Sequence, residues 1–182
     1  GRHVRALMVG HLRDEKAPQL LFDAARRLAP RADSRIDHIG AALDPALGRA
    51  AQACAAACPH YRWLGALPHR AVLGHIQRAH LLVSCSRMEG GAQVVIEAVR
   101  SGTPVLASAI PGHLGLLGPG YGGLIPAGDA AALAALPARA RDDPAMLPTL
   151  RAQCDTRALL FDPARERATL RRTVQQALES AR

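Results

Sequence analysis

Short apolar runs alternate along the chain with segments in which apolar residues recur every three or four positions. The strand-like runs are ALMVGHL, RIDHIGAA, YRWLG, HLLVSCS, PVLAS and GGLIPA, and helical patterns such as APQLLFDAARRLA follow most of them. Strands that alternate with helices over short connections are typical of βα units in a parallel sheet covered on both faces. The pattern therefore predicts an α/β fold with a Rossmann-like, doubly wound parallel sheet.

The pattern changes toward the C-terminal end. From Pro144 onward there is no strand candidate, and Asp162 followed by Pro163 is a typical start signal for a last helix. We therefore divide the chain into a Rossmann-like domain at residues 1–143 and C-terminal helices at residues 144–182 that pack on it. The opening GRHVRAL leads into a strand without an initiator methionine, so we expect a further upstream part.

The formal net charge of +8 raises the question of a nucleic-acid partner. Lys16 is the only lysine, however, and the arginines are scattered among alanines in helical segments rather than clustered in a stripe. Two Phe, two Tyr and one Trp are too few for base-stacking platforms. We interpret the arginines as solvated helix faces and expect no nucleic-acid partner.

No apolar run approaches the roughly 18 uninterrupted residues that a membrane span requires. No basic start followed by an apolar stretch indicates a signal peptide either. The sequence therefore predicts a soluble, cytoplasmic protein without a membrane span.

The four cysteines are Cys54, Cys58, Cys85 and Cys154. Cys54 and Cys58 fall one helical turn apart with His60 nearby, but no second pair completes a zinc site. We expect reduced, buried thiols and no metal.

Three loops that follow predicted strands carry most of the chemistry, at residues 10–16, 86–93 and 108–115. In open α/β sheets, ligands bind outside the carboxyl ends of the strands, where these loops enter helices. In the first loop, GHLRDEKAP, Gly10 lets a ligand approach the backbone, and Arg13 and Lys16 can reach phosphate oxygens. The alternative is a tight turn with solvent-facing charges. Neither a GxGxxG nor a P-loop spacing occurs here.

The second loop, RMEGGAQVVIEA, combines a carboxylate with free amides. Glu89 leaves a strand, and Gly90 and Gly91 are predicted to open the next helix. The amides near that helix start then form a cradle for an anion or a hydroxyl group; they belong to Gly91, Ala92 and Gln93.

Glu97 falls on the second turn of this predicted helix, among apolar residues. A buried carboxylate there requires hydrogen-bond donors, and a ribose diol offers two. The alternative is a structural Glu97 that pairs with a backbone N–H of its own protein.

These motifs resemble a known family. The spacing from Glu89 to Glu97, followed by AVRSGTPVLAS, is similar to the donor-nucleotide motif of retaining glycosyltransferases of the GT-B fold, of the family-four type. VGHL…EK and GGLIPAGD are similar to further landmarks, and the resemblance runs from residue 4 to about residue 136. It implies that the chain is the C-terminal, donor-nucleotide lobe of such an enzyme.

The resemblance also implies roles for individual residues. Glu97 holds the ribose hydroxyls of a nucleotide sugar, while Arg13 and Lys16 neutralise the leaving diphosphate. Glu89 lies at the donor sugar and, with Arg13 and Lys16, forms the implied catalytic set. The implied contacts with the nucleotide sugar are Gly10, His11, Trp63, Leu64, Gly90, Gly91, Ala92, Gln93, Val94, Glu97 and His113.

Two positions depart from the family. His11 stands where the family usually has a diphosphate-binding arginine, and Gly115 stands where it has a glutamate. The segments HLRDEK, SRMEGGAQVV and GHLGLLG together resemble a narrower branch, the selenosugar synthases of selenoneine biosynthesis. That branch implies selenophosphate as the small-molecule acceptor of the sugar of a UDP-sugar, such as UDP-N-acetylglucosamine, with release of UDP.

The resemblance implies no cofactor and a metal-independent reaction, in keeping with the lack of a DxD pair. The acceptor-binding N-terminal lobe is missing, so we expect this chain to bind the donor without turnover. Two alternatives stay open: a nucleotide-sugar epimerase-like lobe, and a basic α/β nucleic-acid-binding module. His113 either contacts the sugar or phosphate or is structural. No role is assigned to His38, His69, His75 and His80.

Overall fold

A computed structural model describes residues 4–28 and 34–180 of the chain. Its centre is a six-stranded sheet of order β3-β2-β1-β4-β5-β6, in which every pair of neighbours is parallel. The strands are β1 Val4–Val9, β2 Ser34–Ile39, β3 Tyr61–Trp63, β4 Leu81–Ser84, β5 Val105–Ser108 and β6 Leu124–Ile125. This sheet confirms the predicted doubly wound α/β fold.

Helices connect the strands and complete the chain. They are α1 Pro18–Arg27, α2 Pro45–Ala57, α3 His69–Arg78, α4 Gln93–Arg100, α5 Pro111–Leu117, α6 Ala130–Asp142, α7 Met146–Ala158 and α8 Pro163–Ser180. A proline opens α1, α2 and α5, where its missing N–H costs no helical hydrogen bond. Asp44 caps α2 by accepting from the amide of Ala46 at 2.7 Å, which satisfies one of the orphan amides of that helix.

The core lies on both faces of the central strands. All four residues of β4 and all four of β5 are buried, as a strand with helices packed on both sides must be. Helix α4 turns a stripe of Val95, Ala98 and Val99 onto the sheet. This packing holds the start of α4 at the carboxyl edge of the sheet, next to the ends of β1 and β4.

The chain reverses its winding direction between β1 and β4. Strands β2 and β3 lie on one side of this point, and β5 and β6 lie on the other. The loops that leave β1 and β4 therefore diverge and open a crevice between them. The predicted site residues of the first two loops lie at this switch point.

One predicted boundary is wrong by two to three residues. Gly90 and Gly91 do not open a helix; they precede it, Ala92 occupies the N-cap position, and α4 begins at Gln93. Glycine loses more backbone entropy in a helix than any other residue, so a Gly-Gly pair favours the connecting loop.

The residues after position 143 form helices, but the two differ in their packing. Helix α7 packs on α4 and buries Met146, Leu150 and Cys154, whereas α8 buries none of its residues. The division at residue 143 remains a prediction. The outer ends of the two predicted parts, residues 1–3 and 181–182, lie outside the described part of the chain. Ala29, at the end of the first predicted helix, lies outside it as well.

All four cysteines are free and buried. Burial raises the pKa of Cys54 and of Cys85 to about 12, so both thiols stay protonated at neutral pH. Over residues 4–28 and 34–180, no group of three His, Cys, Asp or Glu side chains is arranged to hold a metal ion. Within the same ranges, no helix combines the length and the apolar character needed to cross a membrane.

His38 on β2 is fully buried and contacts a predicted site residue. Its Nε2 donates to the carbonyl oxygen of Gly10 at 3.1 Å, and its Nδ1 accepts from the hydroxyl of Tyr61 at 3.0 Å. Burial lowers the pKa of His38 to about 4, although the hydrogen bond to Gly10 acts in the opposite direction. The folded protein therefore holds this ring neutral.

We expect acid to destabilise the fold through His38. At a pH between the unfolded pKa of about 6.5 and the folded pKa of about 4, the unfolded chain binds a proton at His38 and the folded chain does not. The contribution of His38 to stability is therefore fully present well above pH 6.5 and is lost as the pH falls below it. The contribution of His38 to the free energy of unfolding should fall by about 2 kcal/mol between pH 7 and pH 5. Urea denaturation across this range should show a flatter pH dependence for His38→Gln. His75→Gln, on the surface helix α3, should keep the slope of the wild type; equal slopes for all three proteins would contradict the assignment.

Candidate active site

The first loop carries Lys16 into the crevice. After β1 the chain forms a short 3₁₀ helix, Asp14–Lys16, and then turns at Ala17, whose φ of 46° is left-handed. Pro18 follows and opens α1. The Lys16 side chain lies along Gly10, where a β-carbon would come 3.4 Å from its Cδ. This turn places the ammonium group between the ends of β1 and β4.

Lys16 and Glu89 form an ion pair at the switch point. The side chains are only 18% and 9% exposed, and the Ser86 hydroxyl donates to the same carboxylate oxygen, Oε1, at 2.6 Å. Burial alone would raise the pKa of Glu89, but the hydrogen bonds from Lys16 and Ser86 outweigh it and hold the pKa below its usual value. Glu89 is therefore an anion at neutral pH, and its partner is a cation.

A second set of contacts ties the first two loops to each other. The amide of Arg87 donates to the carbonyl oxygen of Glu15 at 2.9 Å, and its guanidinium Nη1 donates to Asp14 at 2.8 Å. Beyond this contact, Gly90 and Gly91 are exposed, and a β-carbon on either would meet nothing within 4 Å. The main chain is therefore open to a ligand at this point.

The start of α4 presents amide groups to the same space. Ala92 provides no side-chain cap, and its carbonyl oxygen accepts from the amide of Val95. In the part of the chain that the structure describes, no acceptor pairs with the preceding amides; these are Gly91, Ala92, Gln93 and Val94. Free amides at the positive end of a helix dipole favour an anion.

Glu97 lies one turn further along α4, with its side chain 14% exposed. Its Oε1 accepts from His69 Nε2 at 2.9 Å and from Gln93 Nε2 at 3.3 Å. His69 is the first residue of α3 and is largely exposed. His69 was not among the residues predicted from the sequence, because this contact joins residues 28 positions apart on different helices.

Two predicted diphosphate contacts are more exposed than Lys16. Arg13 is about half exposed, and its Nε lies 3.9 Å from Glu15 Oε2. His11 accepts from the amide of Ala41 through Nδ1 at 3.0 Å, which ties the first loop to the end of β2. Both residues lie at the carboxyl edge of the sheet, but neither contacts the Lys16–Glu89 pair.

Two further residues that the resemblance places at the nucleotide sugar, Trp63 and Leu64, lie at the same edge, beyond β2. Trp63 donates through Nε1 to the carbonyl oxygen of Gly40 at 2.9 Å, and the amide of Leu64 donates to the carbonyl oxygen of His38 at 2.8 Å. The Gly40 amide in turn donates to Gly65 at 2.8 Å. These bonds hold the loop after β3 beside the loop after β2.

His113 differs from the expectation of a ligand contact. Its ring is fully buried, and both ring nitrogens lie within hydrogen-bond distance of protein partners, Ser84 and Ser108. Of the two roles that the sequence allowed, this geometry fits the structural one.

The open parallel sheet and the charged loops at its switch point define a Rossmann-like lobe. A model of the family described as Glycosyl transferases group 1 matches residues 3–159. The chain therefore belongs to this family, which confirms the broad resemblance. No curated protein sequence matches the chain significantly.

Solved structures share this fold. Sucrose-phosphate synthase from Thermosynechococcus elongatus matches 99% of this chain at 25% identity, with a TM-score of 0.79 over 46% of that chain. HepE from Anabaena, in complex with UDP-glucose, matches 98% at 19% identity, with a TM-score of 0.81 over 49% of that chain. The pneumococcal O-GlcNAc transferase GtfA, in complex with UDP and GlcNAc, matches 98% at 20% identity, with a TM-score of 0.80 over 37% of that chain. The chain thus spans less than half the length of these three proteins.

Proposed function

We propose that this chain is the donor-binding lobe of a retaining glycosyltransferase and that its donor is a UDP-sugar. The observation that carries the proposal is the arrangement at the switch point, where the Lys16–Glu89 pair adjoins the free amides at the start of α4. Glu97 lies four residues after the first residue of that helix, about 6 Å along its axis. One helix therefore offers amides for a diphosphate and a carboxylate for a diol.

Glu97 is proposed to bind the ribose of the donor. Its Oε1 is already held by His69 and Gln93, whereas Oε2 has no partner among the residues described. An ionised carboxylate is a stronger acceptor for hydroxyl groups than a neutral one, and a diol can donate twice. The two side chains on Oε1 orient the carboxylate and leave the other oxygen for the ligand.

The chemistry of the proposed transfer is electrostatic. Cleavage of the bond between the anomeric carbon and the diphosphate builds negative charge on the leaving group. Lys16 and the amides at the start of α4 are placed to stabilise that charge, with Arg13 at the entrance. Because these groups are cations and N–H donors, they bind a diphosphate directly, and we propose that the transfer proceeds without a metal ion. Retention then depends on placing the nucleophile on the face of the leaving group.

UDP is the proposed nucleotide because two structural neighbours contain it. HepE and GtfA, which share the fold of this chain, were solved in complexes that include UDP or UDP-glucose. Their sugars differ, since one structure contains glucose and the other GlcNAc. The neighbours therefore favour the nucleotide more strongly than any one sugar.

Selenophosphate is the proposed acceptor. The proposal rests on the resemblance of the three loop segments to selenosugar synthases, and on Gly115, where a β-carbon would meet nothing within 4 Å. In the proposed reaction, the selenium attacks the anomeric carbon and a C–Se bond forms. The C–O bond to the diphosphate breaks, and UDP leaves with the bonding electron pair. We expect no steady turnover by this chain alone, because the acceptor side is proposed to belong to a second lobe.

Calorimetric titration with UDP and with UDP-N-acetylglucosamine tests the donor proposal. We expect wild-type affinity in the micromolar to millimolar range and at least a tenfold loss in Glu97→Ala, because a hydrogen bond to a charged group contributes about 1.5–3 kcal/mol. Glu179→Ala, which removes a carboxylate from the exposed helix α8, is the matched control and should bind like the wild type. Equal affinity of wild type and Glu97→Ala would overturn the proposed role of Glu97.

The same protein distinguishes the alternatives. An epimerase-like lobe would convert the UDP-sugar in the absence of any acceptor, which product analysis detects. A nucleic-acid-binding module would bind RNA in a salt-dependent way that Glu97→Ala leaves intact. Conversion of the UDP-sugar without an acceptor, or salt-dependent RNA binding with no UDP binding, would replace the proposed function.

A further inference from the structure

A buried polar network lies beneath Glu89 and centres on His113. The ring is fully buried at the start of α5 and spans the carboxyl ends of two neighbouring strands. Its Nδ1 lies 2.8 Å from the carbonyl oxygen of Ser108, the last residue of β5. Its Nε2 lies 2.9 Å from the hydroxyl of Ser84, the last residue of β4. The ring therefore links the two strands that flank the loop of Glu89.

The partners determine which nitrogen carries the proton. A carbonyl oxygen only accepts, so Nδ1 must be the donor to Ser108, and in a neutral ring Nε2 then accepts from the Ser84 hydroxyl. Burial lowers the pKa of His113, which keeps the ring neutral at pH 7. The network therefore holds a single tautomer, with its proton on Nδ1.

Two routes lead from this ring to Glu89. Along the first, the Ser108 hydroxyl donates to the carbonyl oxygen of Ser86 at 2.6 Å, and the Ser86 hydroxyl donates to Glu89 Oε1 at 2.6 Å. Along the second, Gly112, the residue before His113, packs on the main chain of Glu89. A β-carbon at Gly112 would lie 2.3 Å from the carbonyl oxygen of Glu89. The hydrogen bonds around His113 thus reach the side chain of Glu89, and the residue before His113 packs on its backbone.

The other carboxylate of the site is held by different groups. Glu97 pairs with His69 and Gln93, and neither of these contacts passes through the serines around His113. A change at His113 should therefore disturb one end of the ligand site and leave the other end intact.

We propose that His113 is a positioning residue that holds Glu89 at the sugar end of the donor site. The inference rests on the proposed function, in which Glu97 binds the ribose, and on the place at the donor sugar that the family resemblance implies for Glu89. It predicts an unequal effect: loss of the His113 hydrogen bonds weakens binding of the sugar more than binding of UDP.

The test compares His113→Leu and His113→Asn with the wild type. We expect His113→Leu to weaken binding of UDP-N-acetylglucosamine at least tenfold, and the affinity for UDP, which depends on Lys16 beside Glu89, to fall by a clearly smaller factor. Asn places an N–H donor close to the position of Nδ1, keeps the bond to Ser108, and should recover most of the affinity. His75→Leu, which replaces a histidine on the surface of α3, should leave both affinities unchanged.

The outcomes separate this inference from the function on which it rests. Wild-type protein that binds neither ligand contradicts the proposed function. Wild-type protein that binds both, with equal losses of UDP and of the UDP-sugar in His113→Leu, overturns the positioning role. Long-range ¹H–¹⁵N spectra of the ligand-free wild type give a readout that needs no variant to fold. They should show a protonated Nδ1 and a bare Nε2 for His113, and the opposite tautomer would overturn the network.

Discussion

Gly40→Ala should destabilise the protein by about 3 kcal/mol or more, the cost expected when an added group meets atoms that cannot move aside. A β-carbon at Gly40 would lie 2.0 Å from the carbonyl oxygen of Gly10 and 2.9 Å from the Cα of His11. Both are backbone atoms, so β1 and β2 would have to separate at their carboxyl ends. Urea denaturation measures the loss, and the weakened first loop should also reduce affinity for UDP.

Gly115→Ala is the matched control for Gly40→Ala. Gly115 lies within α5, and a β-carbon there would meet nothing within 4 Å. Alanine is the better helix former by about 1 kcal/mol, so this variant should be as stable as the wild type or slightly more stable. Similar losses of stability in both variants would contradict the claim that the close approach of Gly40 to Gly10 excludes a β-carbon at Gly40.

Lys16→Met should lower both stability and ligand affinity. Glu89, only 9% exposed on its side chain, would keep its desolvation cost and lose its cation, and breaking such a buried pair costs about 3 kcal/mol. The pKa of Glu89 should rise. The stability that its ionised form contributes should then be lost at a higher pH than in the wild type as acid is added. Affinity for UDP should fall about 100-fold, because the cation proposed to face the diphosphate is gone.

Two further variants test the reasons given for Lys16→Met. The double variant Lys16→Met with Glu89→Gln removes both charges and should recover stability without recovering affinity. Arg26→Met breaks an exposed pair with Asp23, 3.1 Å apart, and should change stability by less than about 0.5 kcal/mol. Recovery of UDP binding in the double variant would contradict the proposed role of Lys16 at the diphosphate.

The fold could be predicted from the sequence because its signals are local. Most strands are short, mainly apolar runs, and each helix start has a nearby proline, aspartate or glycine. The position of the crevice followed from the same pattern, since loops after parallel strands meet at one edge. The boundary at α4 was misplaced because Gly90 and Gly91 were assigned to the helix rather than to the loop before it.

The pairings within the site could not be predicted in this way. Lys16 and Glu89 were both singled out, but for separate ligand groups, and their contact spans 73 positions. The contact of His69 with Glu97 depends on how α3 packs beside α4, which no local pattern encodes. His113 in the sequence fits a ligand contact as well as a structural role. Only its burial between β4 and β5 favours the structural one.

The four buried cysteines allow the local opening of the chain to be measured through the reactivity of their thiols. A protected thiol reacts with an alkylating reagent only when its surroundings separate, so each modification rate measures the opening of one region. Cys85 lies under the main chain of Lys16 and Ala17, and Cys154 lies on the face of α7 that contacts Tyr121. The order in which the thiols are alkylated would therefore show whether the switch point or the C-terminal helices open more often. This measurement needs no cysteine introduced by mutation.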